Sequence, residues 1–419
     1  MTMLQNPNQY ALVKVFRRFV WMIIPALLGM FLFAPTSTLA GVGEPVLVSG
    51  AQSVLVVPVR FPGTAPGKSL ADILDKSKRI DRYIQVASYG KAWLETTIAD
   101  WVDLPDPLSA YAVSPHNYSV DKRRVTKLVA DALGVARARH DLDNFKVIWI
   151  VVGVNTNFGV GYGMIAYAIN PGMLSNFYRE GPELKTVHLT GGGVFSGAGV
   201  VSAENAHVGH VVHDLLHALG GSTNGLRAVP DLYDFDLQSA PPKAKPHPAL
   251  YAIHVGPWDI MSQHFVELRM PPPMPSVFIR HQLGWIDDSQ IATVHPGETR
   301  DITLNPLASG KGFLAIRIPL SKSRFVLIEN RQVGQTDQAI PASGMLVMEI
   351  DLAGNEGAHS GRPIARVVDG NPSTPTLDDA VFTPEGGERP SYVSSGVGVN
   401  VSPLALGADG SLMIRIGPS

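Results

Sequence analysis

Two histidines, His213 and His217, stand four residues apart in the stretch GHVVHDLLHALGG (residues 209–221). At 3.6 residues per turn this spacing sets both imidazoles on one face of a helix, about 40° apart around its axis. Two neutral imidazoles presented in this way can share one divalent ion, at zinc–nitrogen distances of about 2.0–2.1 Å. Asp214 directly follows the first histidine. A carboxylate there can take a proton from water activated at the ion, and a buried acid on so apolar a helix is costly unless it is paired or used. His210 falls on the same face but about 10 Å along the axis from His217, too far to share that ion. The other reading is a core helix that happens to contain histidines, with Asp214 turned to solvent. Spacing alone leaves both open.

The elements that must position these residues can be traced along the chain. The apolar run is expected to be helical from about Ser202 to Leu219 and to stop at the Gly220-Gly221 pair. Upstream, SVLVVPVRFPG (53–63) predicts a buried strand ending at Pro-Gly, and FKVIWIVVG (145–153) a central strand. Between them, SLADILDKSKRIDRYIQVAS (69–88) predicts a helix capped by Ser69 with Asp72 three residues on. RRVTKLVADALGVARAR (123–139) predicts another, with Val125, Leu128, Val129, Ala132 and Leu133 forming a core-facing stripe. Residues 153–199 are rich in glycine and small side chains and are expected to form irregular strands and loops beside a cleft. Residues 221–275 read as loops punctuated by PPKAKPHP and MPPPMP. Beyond His295, the segments TRDITL, GFLAIRIP, RFVLIEN, GMLVMEID and SLMIRIG predict short strands of a β-sandwich-like domain. The expected fold class is therefore α+β: an α/β domain over residues 41–290, then a β-sandwich-like domain over residues 291–419.

Composition narrows the function. Hydrophobic residues make up 45% and charged residues 17% of the 419, a globular balance, and the net charge of -2 gives no basic surface for nucleic acid. The chain has no cysteine, which excludes a thiol nucleophile and disulfide support. Lys14, Arg17 and Arg18 precede the apolar run FVWMIIPALLGMFLFA (19–34) and then PTSTLA. Residues 1–40 therefore read as a signal peptide cleaved after Ala40, giving a secreted or periplasmic protein with no stable membrane span; an uncleaved anchor is the alternative.

The motif HDLLHALGG…PDLYD resembles the HExxHxLGLPDLYD signature of the secreted immune inhibitor A type of metallopeptidase, a relative of the metzincins. The blocks VLVVPVRFPG, SYGKAWLETTIADWVDLPDP, GPWDIMS, HQLGWID, FVLIENRQVGQTDQAIPASGMLVMEID and DGSLMIRIG are similar to that family's blocks, in the family's order. The resemblance runs from about residue 52 to the C-terminus. It implies a zincin-like catalytic domain that hydrolyses peptide bonds in a polypeptide substrate with Zn2+. It also implies His213, His217 and Asp231 as metal ligands, Asp214 in the general-base position, and Met261 in a turn beneath the site. Trp258, Trp285 and Tyr233 match family positions and read as packing residues.

Two departures bear on activity. Aspartate at position 214 is one methylene shorter than glutamate, which withdraws the carboxylate by about 1.5 Å. A misplacement near 1 Å can cost about a hundredfold in rate. A working zinc endopeptidase, a zinc-binding pseudopeptidase and a non-catalytic exported surface protein all remain open. In addition, ten residues (221–230) separate Gly220 from Asp231 where the family pattern has two, so the loop GSTNGLRAV must bulge out and return the chain to the ion. Asp234 is the next candidate ligand if Asp231 does not reach. The segments DLDN (141–144) and DGNPSTPTLDD (369–379) offer oxygen ligands for a structural Ca2+, but neither has EF-hand spacing and both read as solvated loops.

Overall fold

The computed structural model describes residues 41–111, 122–155, 166–169, 186–234, 253–264 and 269–419, except 335, 359, 360, 387 and 395. The expected signal peptide lies outside the described residues. No described helix is long and apolar enough to cross a membrane. The fold is mixed α+β, with several sheets.

The first sheet includes the strands expected near residues 53–63 and 145–153. Its main path runs β2 (Ala92–Ile98), β1 (Gly50–Arg60), β4 (Val147–Val152), β8 (Ala198–Ala203), β5 (Ala166–Ile169), while β3 (Val102–Asp103) also pairs with β1. All pairings are parallel except β5 with β8. Helices cover both faces, so β4 is buried at every position (VIWIVV) and reads as an unbroken apolar run. Helix α1 (Leu70–Ala87) begins at the Ser69–Asp72 capping box expected from sequence. Its Ile80 lines a small internal cavity together with Val211 and Leu215 of helix α3 (Val208–Gly220) and with Val54, Leu94, Trp149 and Val200 of the sheet. Helix α2 (Lys122–Ala136) packs on the other face, as crossovers leaving β1 in opposite directions require.

Helix α3 begins later than the expected start near Ser202. Val200, Val201 and Ser202 pair with β4, so tertiary pairing claims them for strand. The helix starts after His207, whose Nδ1 accepts a hydrogen bond from the Gly209 amide at 3.0 Å while Nε2 donates to the Met270 carbonyl. The intervening turn is pinned by Lys76, which donates to the Glu204 and Ala206 carbonyls, and by the Glu204 carboxylate, which accepts from the Gly67 and Lys68 amides. The entries to α1 and α3 are thus tied to one corner of the sheet.

Small hairpins punctuate the domain: β6 (Val187–His188) with β7 (Val194–Phe195), and β9 (Ser222–Thr223) with β10 (Leu226–Arg227). The short helix α4 (Val277–Gln282) leads into the C-terminal strands. One sheet there orders β11 (Ile291–Thr293), β13 (Ala315–Pro319), β14 (Arg324–Arg331), β15 (Gly344–Asp351) and β16 (Ala365–Val367). The other orders β12 (Arg300–Leu304), β19 (Leu412–Pro418), β18 (Val399–Leu406) and β17 (Tyr392–Ser394). Ile316, Val326, Ile328 and Val347 of the first share a core with Leu304, Val401 and Ile414 of the second. The alternate residues Phe325, Leu327, Leu346 and Met348 join the core that contains α1, α3 and the Met261 loop. The five-stranded sheet is therefore buried on both sides, and apolar burial runs without a break across residue 290. Thr38–Ser419 forms one compact unit.

Candidate metal centre

His213 and His217 are 3% and 1% exposed, and Asp231 of the following loop is 2% exposed. The His213 Nε2–Asp231 Oδ1 distance is 2.9 Å, His217 Nε2–Asp231 Oδ1 is 3.0 Å, and the two Nε2 atoms lie 3.1 Å apart. Among the described residues this is the one group of histidine and acidic side chains whose ligand atoms converge. Asp231 therefore crosses the long loop to the imidazoles. Asp234 is also buried but stands outside the converging set.

The backbone sets which nitrogen each ring presents. His213 Nδ1 lies 2.9 Å from the Ile260 carbonyl, and His217 Nδ1 lies 2.7 Å from the Val229 carbonyl. A carbonyl only accepts, so each Nδ1 carries a proton, and in the neutral ring each Nε2 turns a lone pair inward. With both rings neutral, two lone pairs and a carboxylate oxygen then face one another at about hydrogen-bond distance. Three acceptors converging in a dry interior are repulsive unless a proton or a cation joins them. Ligands about 2.05 Å from a tetrahedral ion are about 3.3 Å apart, so this cage needs to open by only a few tenths of an ångström. The three residues could hold a divalent metal ion.

The ligands are held by neighbours of which sequence reading named some and passed over His264, Arg227 and Glu356. The GPWDIMS stretch supplies the Ile260 carbonyl to His213, and the Met261 carbonyl accepts the Leu232 amide at 2.9 Å, beside the ligand aspartate. Trp258 and Trp285 are fully buried, and their indole N–H groups donate to the Leu377 and Val48 carbonyls, in keeping with packing roles. Tyr233 has its ring centroid 6.0 Å from that of His213, and His264 lies edge-on at 4.1 Å. Arg227 donates to Asp231 Oδ2 at 2.7 Å and pairs with Glu356, which itself accepts the Asp231 amide at 2.6 Å. A lone arginine in the apolar context GLRAV was a readable signal. Glu356, 125 residues from Asp231 in the chain, was not.

Charge follows this arrangement. Burial alone raises the Asp231 carboxyl, but Arg227 and the two imidazoles outweigh it and hold the group well below the usual carboxylate range. Burial, reinforced by Arg227, pushes His217 down to about 4. For His213 burial works downward, yet its hydrogen bond to Asp231 and the charges of Asp231 and Asp214 carry it above the ordinary histidine value. Asp214 itself is 8% exposed, so it is not the solvent-facing aspartate of the alternative reading.

The candidate calcium loops spend their oxygens locally. Asp141 accepts from the Asp143 amide and from Asn144 Nδ2. Asp369 accepts from the Asn371 amide, and Asp379 accepts from Thr374 Oγ1. No protein-family model matches the chain, and no curated protein is similar enough to it to count as a relative.

Proposed function

We propose that this protein is an exported zinc-dependent metalloendopeptidase of zincin-like architecture, directed to the secreted or periplasmic space by a signal peptide over residues 1–40. The carrying observation is the set of three ligand atoms 2.9–3.1 Å apart, with each Nδ1 turned outward to a backbone carbonyl. A donor set of two imidazoles and one carboxylate suits zinc. The mostly parallel sheet carrying α3, backed by a second pair of sheets, agrees with the expected zincin-like domain followed by a β-sandwich-like one.

In this reading His213, His217 and Asp231 hold the ion. A divalent ion so held polarises a peptide carbonyl and acidifies water. The Asp214 carboxylate, buried beside His213, accepts a proton from the attacking water and returns it to the leaving amine. The substrate is a polypeptide.

A second reading, a zinc-binding pseudopeptidase, is favoured by one specific feature: Asp214 is a methylene shorter than the glutamate that this task normally employs. Metal analysis of the purified mature protein, paired with cleavage of unfolded casein, separates the readings. Stoichiometric zinc with EDTA-sensitive cleavage is the expected result, and zinc without cleavage selects the pseudopeptidase. A metal-free protein, or one whose zinc content survives His213→Ala, removes the centre from consideration.

A further inference from the structure

We infer that Arg227 is a positioning residue of this centre: clamped by Glu356, its guanidinium fixes Asp231 so that one carboxylate oxygen faces both imidazoles. The inference rests on the metal-centre reading above and adds to it a role for the loop that exceeds the family spacing.

That loop is a built element. Gly221 ends α3 at φ +63, and its amide donates to the His217 carbonyl. β9 and β10 then pair across Asn224 (φ +53) and Gly225 (φ +79), the two positive-φ residues that a tight two-residue hairpin needs. The Ala228 amide closes the hairpin on the Gly221 carbonyl at 3.2 Å. The returning strand delivers two groups to the centre: the Val229 carbonyl that takes the His217 Nδ1 proton, and the Arg227 side chain, 3% exposed.

Each contact of the guanidinium has a geometric consequence. Nη2 donates to Asp231 Oδ2 at 2.7 Å, which leaves Oδ1 as the oxygen turned to His213 and His217. Nη1 lies 3.0 Å from Nε2 and 3.2 Å from Nδ1 of His217. An in-plane atom nearly equidistant from both nitrogens would collide with the carbon between them. Nη1 therefore lies over the ring, and the Nε2 lone pair stays available to an ion. Glu356, reaching in from the segment after β15, pairs with the guanidinium and accepts the Asp231 amide, so backbone and side chain of the ligand are held from the same two partners. Charge-assisted contacts of this kind orient metal ligands, and their loss commonly costs ten- to a hundredfold in affinity, on the order of what is expected here.

The test measures zinc affinity by chelator competition and the visible absorption of the Co2+-substituted protein, for wild type, Arg227→Ala, Arg227→Lys and Glu356→Gln. Arg227→Ala is expected to weaken zinc about 10–100-fold and to alter the Co2+ spectrum, because Asp231 is then free to rotate. Arg227→Lys, which keeps the charge but cannot grip both carboxylates in a fork, is expected to fall between Ala and wild type. Wild-type affinity and an unchanged spectrum in Arg227→Ala overturn the inference. Should that variant not fold, Arg227→Lys decides by the same two readings: weaker zinc with an altered spectrum supports the role, and wild-type behaviour overturns it. A wild-type protein that takes up neither Zn2+ nor Co2+ sinks the metal centre itself, and does so before any variant is compared.

Discussion

Two buried polar clusters lie in this protein, and they solve the problem of interior charge in opposite ways. Around Arg331, fully buried, donors and acceptors interleave: its guanidinium donates to Glu329 at 2.9 Å, to the Trp258 carbonyl at 2.6 Å and to Asp337. The second oxygen of Glu329 accepts the Val277 amide, while Asp259 accepts the Met261 and Ser276 amides, each at 2.7 Å. Every carboxylate there has a proton aimed at it. Around His213 and His217 each Nδ1 turns outward to a carbonyl, and both Nε2 atoms face one oxygen of Asp231, whose other oxygen accepts from Arg227. Both clusters contain buried residues of the kinds that bind metals, so residue type does not distinguish them. The convergence of ligand atoms does: among the described residues, two ring nitrogens and a carboxylate oxygen meet at one point in the second cluster and not in the first.

The largest effect expected from this contrast is at Arg331. Arg331→Ala leaves Glu329, Asp337 and Asp259 in the interior without their cation, and should cost about 3–5 kcal/mol of stability. The loss should be the same with or without EDTA in a urea titration, because no ion takes part. The His213–His217 cluster should behave in the opposite manner. Zinc in thousandfold excess over its Kd should add about 4 kcal/mol to the wild type, and His217→Ala should abolish that gain. A wild-type unfolding midpoint indifferent to EDTA would break the contrast at its centre. The clusters also meet, since Asp259 and the Trp258 carbonyl belong to the loop whose next residue, Ile260, orients His213. Arg331→Ala is therefore expected to loosen metal binding as a secondary effect.

A smaller effect is expected at Asp214. Restoring the missing methylene with Asp214→Glu moves the carboxylate toward the position that general-base chemistry requires, and a correction near 1 Å is worth about a hundredfold in rate. Casein turnover should rise by that order while zinc content stays fixed. Unchanged or lower turnover at full zinc occupancy would show that the surroundings of position 214 are already fitted to aspartate.

How much of this could be read beforehand follows from what each feature depends on. The two imidazoles on one face, the Ser69 cap, β1, β4 and the alternating strands β12 to β15 are set by local periodicity and were legible. The start of α3 was not, because Val200 to Ser202 take their conformation from pairing with β4, 51 residues earlier in register. The hairpin turn Asn224-Gly225 carried a readable Asn-Gly signal, yet its purpose depends on where Arg227 lands. Glu356 had no local signal at all, since its role exists only once the C-terminal sheet packs against the first domain. Periodicity thus gave the ligands, and the groups that orient them came from long-range packing.

The smallest effect concerns acid. His210 has its Nδ1 buried although part of the ring reaches the surface, and burial, with the charges of His207 and His213, pushes it down to about 3. An unfolded chain protonates this residue below about pH 6.5. Between there and pH 3 the unfolded state therefore binds more protons, and stability falls as pH falls, by at most about 1.4 kcal/mol per pH unit from this residue. Glu329 acts with the opposite sign. Burial raises its carboxyl, so above the ordinary glutamate value the folded state binds more protons, and its contribution declines as pH rises toward the folded value. In mildly acidic solution the two clusters should thus pull stability in opposite directions. His210→Asn should flatten the acid limb of a denaturation profile taken from pH 7 to pH 4, and Glu329→Gln should steepen it. Parallel changes in the two variants would mean that the acid response is set elsewhere, and that the histidine-rich face is not held neutral by its burial.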